Sequence, residues 1–156
     1  MSPLARVALV VVVLGLAVVL GAVWRSRNGR FSPVAPAVLA AAGAGPAPDE
    51  AAAGRLSSAE LGAALGARAT FLQLSSEVCT PCRRTHAVLA AIAAERHDVS
   101  HVDLDVAEHL DLVRRFDVMR TPTVLLLDVT GAVVGRMSGV TDRRQALDAL
   151  DAACPA

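Results

Sequence analysis

Residues 70–96 read TFLQLSSEVCTPCRRTHAVLAAIAAER. Thr70 to Leu74 is a short apolar strand. Cys79 opens a helix that carries Val88, Leu89 and Ile92 on an apolar face and ends near Arg96. Two cysteines three residues apart therefore sit where a strand turns into a helix. A thiol attacks as its thiolate, and a free cysteine is mostly protonated at neutral pH. The partial positive charge of a helix N-terminus favours the anion at Cys79. Cys82 lies one turn further on and can reach Cys79 to close a small disulfide ring. Pro81 suits a first helical turn, where a missing N–H costs nothing. Such a junction suits thiol–disulfide exchange: Cys79 attacks a partner disulfide, and Cys82 resolves the mixed disulfide. A C-x-x-C can also be half of a zinc site, with His86 as a third donor four residues after Cys82. No second C-x-x-C and no H-x-H completes that set.

Outward from this stretch, strand and helix signals alternate. Ser57 or Ser58 caps a helix running to about Leu65, with Glu60 in its first turns. After the cysteine helix, Val99 to Leu104 alternates as a strand. Val106 to Phe116 reads as a helix, with Leu110, Val113 and Phe116 at three-residue spacing. Thr123 to Leu127 is a dense β run, typical of a strand buried on both faces. Val129-Thr130-Gly131 turns it into Ala132 to Met137 as a hairpin. Thr141 or Asp142 caps a last helix that buries Ala146, Leu147 and Leu150. The order αβαβαββα predicts an α/β fold: a mixed central sheet with helices on both faces. There are no internal repeats.

Residues from about 57 to 153 resemble the thioredoxin family. Ser76-Glu77-Val78-Cys79-Thr80-Pro81-Cys82 stands at the family's Trp-Cys-Gly-Pro-Cys segment. Arg120-Thr121-Pro122-Thr123 is similar to its cis-proline loop, ahead of Val124-Leu125-Leu126-Leu127. Val102-Asp103-Leu104-Asp105 is similar to its third strand, and Gly139 to its late glycine. The resemblance implies a thioredoxin-like fold, a cis Thr121–Pro122 bond packed against the cysteines, and backbone near Thr121 that pairs with an incoming substrate chain. It implies Cys79 as nucleophile and Cys82 as resolving thiol, with Val78, Thr80, Pro81, Thr121 and Pro122 contacting substrate. The Cys79–Cys82 pair is itself the redox group, with no further cofactor and no metal. Several positions depart from the pattern. The tryptophan before the first cysteine is Val78. The buried aspartate beneath the cysteines falls on Gln73, which cannot take a proton from the resolving thiol. His101 stands where a lysine neighbours that aspartate, and Thr-Pro replaces Gly-Pro. The first strand of longer family members is not evident. These departures bear on efficiency and substrate range rather than on the basic exchange.

The chain has 156 residues, 54% of them apolar. Val7 to Val23 is one uncharged apolar run. Leu4 to Trp24, interrupted only by Arg6, has the length of a helix that crosses a hydrocarbon core of about 30 Å. Trp24, Arg25 and Arg27 then form an interfacial flank. The run exceeds a signal-peptide core, and Ala22-Val23-Trp24 is a poor cleavage site. A soluble helix would need a polar face. The expectation is one retained transmembrane helix. Its arginine bias puts the remainder on the cytoplasmic side, with an extracytoplasmic domain as the alternative.

Three segments follow: a transmembrane anchor with a basic flank over residues 1–30, an Ala/Pro-rich flexible linker over 31–55, and a thioredoxin-like domain over 56–156. The first thirty residues hold four arginines and no acid; the rest holds eleven arginines against fifteen acids, a balance of −4. No basic cluster lies over the main domain, which excludes a nucleic-acid footprint. The absence of lysine and tyrosine, with abundant alanine, reads as the coding bias of a GC-rich bacterium. Three cysteines are too few for a disulfide-stapled fold. Cys154 reads as a bystander near a frayed end. His86, His97, His101 and His109 read as surface residues, and Arg83-Arg84 and Arg114-Arg115 as solvated faces. The function expected is a membrane-tethered oxidoreductase that reduces protein disulfides and is recharged by a partner reductase. The alternative is a non-catalytic binding module or redox sensor.

Overall fold

The computed structural model describes residues 3–27, 31–33 and 54–155. Most of the expected linker, residues 34–53, and the expected boundary at residue 30 lie outside the described residues. The elements are α1 (Pro3–Arg27), β1 (Phe31–Pro33), α2 (Ser58–Leu61), β2 (Ala69–Ser75), α3 (Thr80–Glu95), β3 (Val99–Asp105), α4 (Leu110–Arg115), β4 (Thr123–Asp128), β5 (Val133–Ser138) and α5 (Arg143–Ala153).

The described strands form one mixed sheet in the order β1-β5-β4-β2-β3. β2 runs parallel to β3 and antiparallel to β4, and β4 pairs antiparallel with β5. The central strands β2 and β4 are buried along nearly their whole length. Alternate residues therefore feed two cores. Phe71, Val124 and Leu126 face α3 and α5, where they meet Leu89, Ile92, Met137 and Leu150. Leu72, Leu74, Leu125 and Leu127 face the other way and meet Leu56, Leu61 and Leu112. Helices thus cover both faces, as the alternation of elements predicts.

Local chemistry sets where the elements end. Ser57 and Glu60 form a capping box at the start of α2, and Gly62, at φ 63°, stops it four residues short of the expected Leu65. The helix expected from Val106 starts only at Leu110. Asp105 first turns the chain, its carboxylate accepting from the Ala107 N–H at 2.8 Å and its carbonyl from the Glu108 N–H at 3.2 Å. Asp142 and Gln145 form a second capping box under α5.

Two further differences concern the N-terminal region. Phe31–Pro33 is a strand: it pairs antiparallel with Gly135–Met137 at the sheet edge. A three-residue strand ending in proline carries no readable period, and an edge is where proline is tolerated. The membrane localisation expected from the sequence is not supported. Among the described residues no helix is long and apolar enough to cross a membrane. That finding overturns the transmembrane anchor and the side of a membrane assigned from it.

Candidate active site

β2 ends at Ser75, and four residues later Cys79 becomes the N-cap of α3. Its backbone is extended, and its sulfur accepts the Cys82 N–H at 3.1 Å. Pro81 stands in the first turn, where no hydrogen bond is lost. Cys79 and Cys82 are joined as a disulfide with their Cα atoms 5.2 Å apart. Both are buried, while Thr80 and Pro81 between them are exposed. One helical turn therefore presents a disulfide at the positive end of a 16-residue helix.

The second expected motif lies alongside. The Thr121–Pro122 bond is cis. Thr121 and Ser76 bring their hydroxyls within 3.2 Å, which ties this loop to the segment before Cys79. The Pro122 carbonyl accepts the Gly139 N–H at 2.8 Å, and the Thr141 N–H donates to the buried Thr85 hydroxyl of α3 at 3.2 Å. These bonds join the proline loop, the end of β5 and α3. Val78 is 93% exposed and Met119 80%. An apolar groove of about 300 Å³ runs past Thr121 between Val106, Leu110, Val118 and Met119. Of the residues expected to contact substrate, Val78, Thr80 and Pro81 are exposed on the cysteine side, Thr121 is half-buried and Pro122 is buried.

Beneath the cysteines Gln73 is fully buried. Its amide Nε2 donates to the Cys82 carbonyl at 3.0 Å, to Ser75 Oγ at 2.7 Å and to Asp103 Oδ2 at 3.3 Å. Its Oε1 is buried with no hydrogen-bond partner among the described residues. Asp103 Oδ2 in turn lies 2.8 Å from His86 Nδ1. The His86 ring packs edge-on against His101, with 5.0 Å between centroids. Burial, with repulsion from His86, lowers the pKa of His101 to about 4, and the Asp103 charge opposes the shift. A cleft of about 540 Å³ is lined by Glu77, Cys79, Cys82, His86, Asp103 and Asp105, among others.

His86 is exposed on α3, as the sequence suggests, but is paired with Asp103; His101 is half-buried rather than on the surface, and Asp103 was legible only as part of a strand. The signals were spacing. Cys82 and His86 are four apart on a helix, and His101 and Asp103 two apart on a strand, so each pair shares a face. The parallel pairing of Gln73 with Asp103 then brings those faces together. His109 is the N-cap of α4, with Nδ1 3.0 Å from the Asp105 carbonyl, and His97 is exposed. Cys154 is a free thiol buried in the core, its pKa raised by burial, with its carbonyl accepting from Arg68 Nε at 2.7 Å. It is not at a frayed end. Arg83 bonds Thr80 Oγ1 at 3.0 Å, Arg84 and Arg114 are exposed, and Arg115 holds Glu60 and the Arg55 carbonyl. Among the described residues, no three His, Cys, Asp or Glu side chains gather as a metal-ligand set.

A redox-capable cysteine pair at a strand-to-helix junction, facing a cis-proline loop, defines a thioredoxin-type α/β protein. The family model described as Thioredoxin matches residues 58–152, and the chain belongs to that family. Thioredoxin H5 of Oryza sativa subsp. japonica is 33% identical over 60 residues. That match covers 38% of this chain and 44% of the rice protein, so the chain spans under half the length of this curated relative. A solved thioredoxin from Nicotiana alata is 27% identical at a TM-score of 0.51, covering 56% of this chain and 75% of that one. A point mutant of thioredoxin from Halobacterium salinarum superposes with the same TM-score and coverage at 22% identity, a likeness of fold alone.

Proposed function

We propose that this chain is a thiol–disulfide oxidoreductase that reduces protein disulfides through Cys79 and Cys82. The observation that carries the proposal is the disulfide at the N-terminus of α3, with the Cys82 N–H directed at Cys79 Sγ. That N–H and the helix end stabilise negative charge on Cys79 once the pair is reduced.

In the reduced protein the Cys79 thiolate attacks one sulfur of a substrate disulfide. The other substrate sulfur leaves with the electron pair and takes up a proton. Cys82 then loses its proton and attacks Cys79 Sγ, releasing the second substrate sulfur as a thiol. Two electrons and two protons pass to the substrate, and the Cys79–Cys82 disulfide remains. A dithiol reductant or a partner reductase returns it to the reduced form. Exposed Val78 and Met119 and the groove beside Thr121 offer an apolar surface for a substrate segment. Thr121 and Pro122, with Thr80 and Pro81 in the first turn of α3, complete that contact.

Insulin reduction driven by dithiothreitol tests the proposal. Wild type is expected to turn over, Cys79→Ser to be inert, and Cys82→Ser to accumulate a mixed disulfide with insulin. If wild type and Cys79→Ser are equally inert, the protein is instead a binding module or redox sensor built on the same fold.

A further inference from the structure

Resolution of the mixed disulfide requires the Cys82 thiol to lose a proton. Cys82 is only 3% exposed, so the acceptor has to be close by. Gln73 bonds its backbone carbonyl, but an amide does not titrate. The partners of Gln73 fix its orientation. A backbone carbonyl and a carboxylate can only accept, so the NH2 group faces Cys82 and Asp103. Gln73 thus links the Cys82 turn to a carboxylate on the neighbouring strand. Asp103 Oδ2 meets His86 Nδ1 at 2.8 Å. An ionised carboxylate has no proton to give, so Nδ1 carries the hydrogen and Nε2 keeps its lone pair. His86 follows Cys82 by four residues on α3, and helical neighbours at that spacing have Cβ atoms about 5–6 Å apart. Both line the same cleft, together with Asp103.

We propose that His86, oriented by Asp103, is the proton acceptor for the resolving thiol of Cys82. This rests on the exchange reaction proposed above. As Cys82 attacks, its proton passes to His86 Nε2, directly or through one water. The sulfur electron pair forms the bond to Cys79 Sγ. The bond between Cys79 and the substrate sulfur breaks, and that sulfur leaves with the pair and takes the proton from the imidazolium. No outside oxidant or reductant enters this step. His86 is the catalytic residue here. Asp103 is a positioning residue that holds the tautomer and stabilises the imidazolium. The charged and titratable groups around His86 are Asp103, Asp105 and His101 from β3, Arg83 from α3 and Glu77 from the preceding loop. His101, with its pKa lowered to about 4, stays neutral and does not compete for the proton near neutral pH.

The test is the pH profile of dithiothreitol-driven insulin reduction by the full chain, for wild type, His86→Gln, His86→Asn and Asp103→Asn. Alkylation of reduced Cys79 by iodoacetamide is followed in parallel. Both His86 variants should lose on the order of 10²-fold in turnover, with a pH profile of different shape from wild type. The insulin mixed disulfide should accumulate in them, while Cys79 alkylation stays as in wild type. Asp103→Asn should lose less turnover than the His86 variants, because the imidazole remains but is no longer oriented by a carboxylate. His86 is half-exposed, so neither replacement disturbs the core. An unchanged pH profile in the His86 variants, with wild type active, overturns the relay alone. Parallel loss of Cys79 alkylation overturns it too, by placing the effect on the nucleophile. Wild-type inactivity matched by Cys79→Ser overturns the exchange reaction and the relay together.

Discussion

His101 shows how a single residue takes its properties from its neighbours. As a sequence letter it is an ordinary histidine on an edge strand. In the fold, burial penalises its charged form, His86 repels it, and the Asp103 charge opposes both only in part; the result is a pKa of about 4 against an ordinary 6.5. The unfolded chain therefore takes up a proton near pH 6.5, whereas the folded chain resists until about 4. The stability gained from keeping this ring neutral is complete above pH 6.5 and is lost as pH falls toward 4. Urea unfolding at pH 7 and at pH 4.5 should show a larger loss of stability for wild type than for His101→Gln. Equal losses would mean that the ring is protonated in the folded protein. Gln73 illustrates the same point with a neutral group. Its letter announces the loss of a proton acceptor under the cysteines, but not that its amide would lead to Asp103 and His86.

At the scale of elements, the β4–β5 hairpin depends on one backbone conformation. Gly131 sits at φ 81°, and a Cβ there would run into the Leu56 carbonyl oxygen. The Leu56 N–H also donates to the Gly131 carbonyl at 2.9 Å, so the turn holds the segment entering α2. Asp128 completes the turn, its carboxylate accepting from the N–H groups of Thr130 and Ala132. A side chain at position 131 must strain the turn or push Leu56 away. Gly131→Ala is expected to lower unfolding free energy by roughly 1–3 kcal/mol, measured by urea denaturation. A midpoint within error of wild type would show that the turn yields at no cost. The glycine itself was readable as a turn signal before β5. The close approach of Leu56, seventy-five positions earlier, was not, because it arises only when the chain returns across the sheet.

On the scale of the whole molecule, two cores share one sheet, and the candidate site lies at the end where β2, α3 and the proline loop converge. Leu126 is fully buried on the α3 and α5 side of central strand β4. Truncating it leaves a cavity in packing that bears directly on α3. Leu126→Ala is expected to cost about 2–5 kcal/mol in unfolding free energy, read from the chemical-denaturation midpoint. A loss under about 1 kcal/mol would mean that the neighbouring core collapses to fill the space.

The residues by themselves determined the alternation of elements, the two cysteines at a helix start and the proline loop ahead of a buried strand. Each of these depends on local periodicity, on capping, or on a short motif, and such signals are complete within a few neighbouring positions. The same local reading also had its limits. An apolar run does not decide whether a helix crosses a membrane, and a three-residue edge strand leaves no period. The tertiary structure decided what surrounds Cys82. The cysteine pair was legible as a redox site. The meeting of Gln73, Asp103, His86 and His101 was not, because it requires the parallel register of β2 against β3 and the packing of α3 over both. Contacts across strands and between layers are set by how the whole chain closes, so no window of sequence contains them.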